Sequence, residues 1–179
     1  MAGLTSRVAT EADLPALEAV MAASIAELQK GFLSPAQIAA SRMIMGLDRQ
    51  LVADRTYFIV EEGSAIAGCG GWSRRATLYG GDHTPGRDPE VLDPAKDAAR
   101  VRAMYTHPDF ARRGVGRLIL QLCEDAARAE GFKRLELMGT MSGRPLYESY
   151  GFQPIEEIVD ARGGEPVPLT RMGKRIPTR

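Results

Sequence analysis

The stretch THPDFARRGVGRLIL, Thr106–Leu120, puts three arginines and two glycines into Arg112–Arg117, directly ahead of an apolar run with helical spacing. Glycines before a helix mark a tight bend or a close approach of the backbone to something else. A helix N-terminus exposes unpaired N–H groups and the positive end of the helix dipole. Gly114 and Gly116 let those groups approach without Cβ interference, which suits a phosphate or pyrophosphate. Two phosphate loops fail against this string. Gly-x-x-x-x-Gly-Lys-Ser/Thr occurs nowhere, and the third glycine of the dinucleotide fingerprint is replaced here by Ile119. The plainer reading is a turn with a solvated basic face.

The elements around the loop fix the fold class. Ala99–Thr106 (ARVRAMYT) precedes it as a strand. Val115, Leu118, Ile119, Leu122 and Ala126 mark the inner face of the helix after it, with Gly131 at the helix end and Arg134–Met138 as the next strand. A strand–helix–strand unit implies a right-handed connection and two parallel strands. Upstream, Leu4–Ala9 reads as a strand, and Thr10 with Asp13 caps a helix carrying Leu14, Leu17, Val20, Met21, Ile25 and Leu28. Ser34-Pro35 starts a second helix running to about Leu47. Tyr57–Glu61 and Ala65–Trp72 form a hairpin around Glu62-Gly63-Ser64. Thr77–Asp97, rich in glycine and proline, is a long loop of the kind that is often functional or mobile. A short helix at Pro145–Tyr150 and strands at Phe152–Asp160 and Val167–Arg175 complete the chain. The order β-α-α-β-β-β-α-β-α-β-β predicts a mixed α/β sheet, and nothing divides residues 1–179 into two domains.

Composition narrows the function classes. Lys plus Arg equals Asp plus Glu at 23 each, so the chain lacks the broad field that would hold nucleic acid or an anionic membrane. Cys69 and Cys123 stand too far apart for a metal-type pair and suit a reducing compartment as small buried hydrophobes. The opening MAGLTSRVATEAD has no apolar core of signal-peptide length, and no segment is long enough to span a bilayer. The expectation is a cytoplasmic protein without metal.

Strand, His-Pro-Asp-Phe turn, Arg-Arg-Gly-Val-Gly-Arg and helix together resemble the GNAT superfamily of acetyl-CoA-dependent N-acetyltransferases. RVATEADLPAL is similar to the family's opening strand and helix, LYESYGF to its Tyr-x-x-x-Gly-Phe segment and VPLTRMGKRI to its closing strand. The family's usual loop is Gln/Arg-x-x-Gly-x-Gly/Ala; Ala111 takes the first position here, which costs a side chain but no backbone donor. The resemblance implies a single GNAT domain with a mostly antiparallel sheet, a central parallel strand pair that splays apart, and flanking helices.

It also implies a site. The loop Arg112, Arg113, Gly114, Val115, Gly116 and Arg117 would cradle the pyrophosphate of acetyl-CoA. Met104, Tyr105 and Thr106 would pair through their backbone with the pantetheine arm, as an added strand does. A strand N–H near Met104 or Tyr105 would stabilise the oxyanion. Ser142 stands where many relatives carry an asparagine that touches the coenzyme arm. Tyr147 matches the general acid that protonates the departing thiolate. Trp72 is the candidate lining for the amine acceptor's pocket, and the resemblance leaves room for a homodimer. The strand Arg100–Tyr105 offers no carboxylate as general base, which leaves His107, Glu61, Glu62, Asp82, His83 or a water chain. A non-catalytic acyl-CoA sensor is the alternative, supported by that missing carboxylate and by Ala111.

Overall fold

The computed structural model describes residues 3–179; Met1 and Ala2, the start of the opening segment, lie outside the described residues. The sheet has seven strands: β1 (Leu4–Val8), β2 (Tyr57–Glu62), β3 (Ala65–Ser73), β4 (Ala99–Thr106), β5 (Arg134–Thr140), β6 (Gln153–Asp160) and β7 (Val167–Arg175). Their spatial order is β1-β2-β3-β4-β5-β7-β6. β4 and β5 run parallel, and every other neighbouring pair is antiparallel. This is the mixed sheet read from the sequence, with its parallel pair where the strand–helix–strand unit put it.

Among the described residues five α-helices flank the sheet: α1 (Leu14–Leu28), α2 (Pro35–Ser41), α3 (Arg49–Ala53), α4 (Val115–Ala129) and α5 (Arg144–Tyr150). The start signals hold: the Asp13 carboxylate accepts the Thr10 N–H at 2.8 Å, and Ser34 Oγ accepts the Gln37 N–H at 3.1 Å. Two details differ from expectation. The second helix stops at Ser41 instead of Leu47, and a separate turn of helix follows at Arg49–Ala53. Gly46 at φ 130° breaks the run, and the Asp48 carboxylate caps the new helix through the Gln50 N–H at 3.0 Å. The buried stripe of α4 is Val115, Ile119, Cys123 and Ala127, with Leu118 packed at its edge, so the helix is turned slightly from the expected face.

The core lies on both sides of the sheet. α4 packs Val115, Ile119, Leu120 and Cys123 against Val60, Ala67, Val101, Leu135 and Leu137. α1 packs Leu17, Val20, Met21 and Ile25 against Tyr57, Ile59 and Tyr105 on the other side. Cys69 and Cys123 are both buried and unpaired, as expected. Burial pushes the Cys69 thiol up to about 12 and Cys123 up as well, so neither is poised as a nucleophile. Among the described residues no helix is long and apolar enough to cross a membrane.

Candidate active site

β4 is where the sheet opens. Its pairing with β5 ends after Ala99↔Leu135 and Arg100↔Glu136, while β3 stays on its other edge through Gly68↔Thr106. The register against β3 shifts between Cys69 and Gly71, and across from that shift Ala103 adopts φ 50°. That left-handed conformation costs a non-glycine residue on the order of 1–3 kcal/mol. The Tyr57 hydroxyl donates to the Ala103 carbonyl at 2.5 Å, which ties the bulge down from the core side. A bulge bends its strand and raises the local twist. Met104–Thr106 therefore have no strand pairing with β5.

The gap leads into one cleft with two lobes. The outer lobe, about 730 Å³, runs from Ile25 on α1 and Gln29 just after it across Met104–Thr106 to the start of α4 and to α5. The inner lobe is about 80 Å³ and sits in the fork of the two strands, under Ile44–Gly46 and Leu78–Gly80. Met45, Met104, Tyr105, Thr140 and Tyr147 line both. The long loop Thr77–Asp97 thus supplies part of the inner wall.

At the outer end stands the glycine-arginine loop. Gly114 is the N-cap residue of α4 at φ 84°, and no atom outside its immediate chain neighbours lies within 4 Å of where a Cβ would be. Arg112 at φ 61° also adopts the left-handed conformation. The ladder of α4 begins with the Leu118 N–H donating to the Gly114 carbonyl at 3.0 Å. The N–H groups of Arg112 to Arg117 have no protein acceptor among the described residues. Successive free N–H groups in a turn ahead of a helix form an anion-binding concavity.

The side chains divide. Arg112 and Arg117 line the lobe, the latter with its guanidinium 5.3 Å from the centre of the Tyr150 ring. Arg113 does not line it; its guanidinium donates to Glu62 at 2.6 Å and covers Phe110. Gly116 lines the lobe and also sits close to α5. A Cβ there would lie 2.5 Å from Leu146 Cδ2, so the glycine permits α4 to meet α5 closely.

Tyr147 occupies the junction of the lobes. Its ring fits a slot beside Gly143, where a Cβ would lie 2.8 Å from Tyr147 Cε2, and stands edge-on to Phe152 at 6.1 Å. Its hydroxyl has no protein partner among the described residues. Burial, then the nearby Cys123, pushes the phenol up to about 12. It is protonated across the physiological range. Ser142 also lines the outer lobe, and its hydroxyl lies 3.2 Å from Thr140 Oγ1.

Other sequence candidates lie elsewhere. Trp72 is 2% exposed and packs edge-on to Phe132 at 6.0 Å, under the Arg74 guanidinium. It lines neither lobe, so its place in the acceptor pocket is withdrawn: a large ring in the sheet interior is drawn into the core. The base candidates also miss the cleft, because among the described residues neither lobe is lined by Asp, Glu or His. Glu61 pairs with Arg7, Glu62 with Arg113, and His83 Nε2 contacts the Arg42 carbonyl. His107 Nδ1 accepts the Asp109 N–H.

Two features of the cleft escaped the sequence reading. Gln29 lines the outer lobe, and its Nε2 donates to the Ile25 carbonyl and Ser41 Oγ, leaving the buried Oε1 without a donor. Arg102, whose side chain is 2% exposed, donates to Asp48 at 2.9 Å and to the Gly80 carbonyl at 2.6 Å. It pins the long loop from below. A polar residue ending a helix and an arginine inside a strand carry no local signal of such partners.

A family model for the acetyltransferase (GNAT) domain matches residues 53–154, which include β4, the glycine-arginine loop, α4 and α5. The chain belongs to the GNAT family. Within it, this acetyltransferase is 29% identical over 121 residues to the uncharacterized N-acetyltransferase YsnE of Bacillus subtilis, covering 65% of this chain and 68% of that one. Solved GNAT structures share the fold across the chain. A GCN5-related N-acetyltransferase from Rhodopseudomonas palustris superposes with TM-score 0.70 at 20% identity, over 98% of this chain and 97% of that one. The yncA protein of Salmonella typhimurium, solved with acetyl-CoA, gives TM-score 0.66 at 16% identity over 99% and 96%. A PaiA N-acetyltransferase from Thermoplasma acidophilum, solved with coenzyme A, gives TM-score 0.63 at 15% identity over 97% and 99%.

Proposed function

We propose that this GNAT protein transfers the acetyl group of acetyl-CoA to a primary amine by direct attack of the amine on the thioester. The observation that carries the reading is a cleft of two adjoining lobes that share Met104, Tyr105 and Tyr147. It has unpaired backbone N–H groups at its outer end, an unpaired strand edge along its length, and a free phenol where its lobes meet. Pyrophosphate takes the N–H groups of Arg112–Arg117, with Arg112 and Arg117 beside it. The pantetheine arm lies along Met104–Thr106 and satisfies strand groups that β5 has left. The amine nitrogen then forms the C–N bond, and a strand N–H near Met104 or Tyr105 holds the oxyanion. As the C–S bond breaks, Tyr147 gives its proton to the sulfur and the amine loses one to water.

The proton inventory sets the pH dependence. Among the described residues the cleft is lined by no Asp, Glu or His, and the Tyr147 phenol sits at about 12. A general acid with a raised pKa stays active below that value and is lost only above it. An alkyl ammonium has a pKa near ~10.4, and only its free base attacks. We expect kcat/KM for an alkylamine to rise about tenfold per pH unit from pH 6 to 9, measured as amide formed from acetyl-CoA. A plateau beginning near pH 7 would place a general base in the cleft and contradict this scheme. Coenzyme A binding without amide formation for any amine would favour the sensor.

A further inference from the structure

Beside the inner lobe, three segments distant in sequence are tied to one another, and two of them line it through Ile44–Gly46 and Leu78–Gly80. The β6–β7 turn, residues 161–166, sits directly on α2: a Cβ at Gly163 would lie 2.1 Å from the Ala40 carbonyl oxygen. Gln37 Nε2 donates to the Pro166 carbonyl at 2.8 Å. The same turn is tied to the long loop, where Arg162 donates to the Pro85 carbonyl at 2.7 Å. The long loop is tied in turn to the connection between α2 and α3. Thr84 Oγ1 donates to the Met43 carbonyl at 2.7 Å, and the Asp82 N–H donates to the Leu47 carbonyl at 2.8 Å. The Tyr79 hydroxyl donates to Asp160 at 2.8 Å. Turn, loop and connection form one roof.

The chemistry beneath the roof is apolar. Ile44, Met45, Leu78, Met138 and Leu169 make most of the wall. Arg102 is the single charged side chain lining this lobe among the described residues, and Asp48 with the Gly80 and Thr77 carbonyls already occupies its guanidinium. No charge is left to receive an acceptor's carboxylate or second ammonium, and burying such a group unpaired is costly. The volume, about 80 Å³, is well below the ~300 Å³ at which sites for drug-sized ligands begin.

From this small apolar lining and the tied segments beside it we infer that the acceptor is a small primary amine with a compact apolar body and no second charge, and that the roof disfavours peptide N-termini and protein lysines. The inference rests on the acetyl-transfer reading above. Its chemistry is unchanged: the amine and thioester become an amide and free thiol, with the amine's proton passing to water and the sulfur's supplied by Tyr147. A polypeptide acceptor needs an open trough for the chain on both sides of its nitrogen, and a lobe of about 80 Å³ offers little room for one.

The test compares isobutylamine, 2-phenylethylamine, spermidine and a peptide bearing both a free N-terminus and a lysine, all with the full chain and acetyl-CoA. The better of the two monoamines is expected to exceed spermidine and the peptide by at least about tenfold in kcat/KM. A second arm replaces residues 161–166 by a two-residue Asn-Gly turn, which keeps the hairpin and removes its contacts with α2 and the long loop. Peptide acetylation is expected to rise several-fold in that variant, with isobutylamine changed less than about twofold. A peptide or spermidine matching the monoamines in the parent overturns the inference and leaves acetyl transfer standing, as does a variant whose peptide rate does not rise. Coenzyme A binding with no turnover of any amine overturns both.

Discussion

Tyr147→Phe is expected to lower kcat by roughly 10²–10⁴ while KM for acetyl-CoA changes little. The substitution keeps the ring in its slot beside Gly143 and against Phe152, and deletes only the hydroxyl. That hydroxyl has no protein bond to lose, so the fold should be indifferent. The physical demand on it is specific. A phenol at about 12 is a weaker acid than a free thiol near ~8.5, so full proton transfer cannot precede departure of the sulfur. Transfer has to accompany C–S cleavage, when the sulfur is most basic, and only a donor already within hydrogen-bond reach serves. Single-turnover kinetics with an excess of amine isolates this step. A parent-like rate there would make Tyr147 a packing residue.

The largest expected effect on stability is at Asp48. This carboxylate, 2% exposed, accepts from Arg102 at 2.9 Å and from Arg87 at 2.8 Å, and it caps α3. Asp48→Ala leaves the Arg102 guanidinium buried with carbonyl partners only. Removing one partner of a buried pair typically costs ~3–5 kcal/mol. For a domain of this size that lowers the melting midpoint by roughly 6–20 °C. Lys30→Ala is the control: it breaks an exposed pair with Glu27 and should cost less than about 1 kcal/mol. A shift for Asp48→Ala no larger than the control's would mean that the pair does not hold the long loop in place. Because Arg102 also bonds the Gly80 carbonyl beside the inner lobe, the same variant should raise KM for the acceptor more than KM for acetyl-CoA.

Sequence reached the frame of this molecule because local signals agree with the global fold. Period-two strands, the Thr10 and Ser34 caps and the glycine stops each name an element, and the strand–helix–strand unit names the parallel pair. The loop to which we assign the pyrophosphate was legible as an element for the same reason, since its free N–H groups are backbone groups presented by glycine and a helix start. The failures share a cause. Trp72 was read as a pocket residue although its environment is set by β4 and Phe132, far away in sequence. The close approach of Gly116 to Leu146 on α5 was likewise invisible in the local pattern. The helix carried to Leu47 overlooked Gly46 and the Asp48 cap. Arg102–Asp48 and the roof over the inner lobe join segments that no local pattern connects.

The acceptor chemistry and the general acid both depend on the thioester being held at the fork of β4 and β5, and the loop Arg112–Arg117 is what would hold it. Calorimetric titration of the full chain with coenzyme A and, separately, with pantetheine tests this most directly, because the two share the arm and differ in the pyrophosphate and nucleotide. Charge-assisted hydrogen bonds contribute ~1.5–3 kcal/mol each, so loss of even two of them weakens binding by at least about a hundredfold. The expected result is coenzyme A binding at least that much tighter than pantetheine, with the difference shrinking at high salt. Equal affinities for the two, at low and high salt alike, would show that the loop holds no pyrophosphate and would contradict the assignment of the cleft.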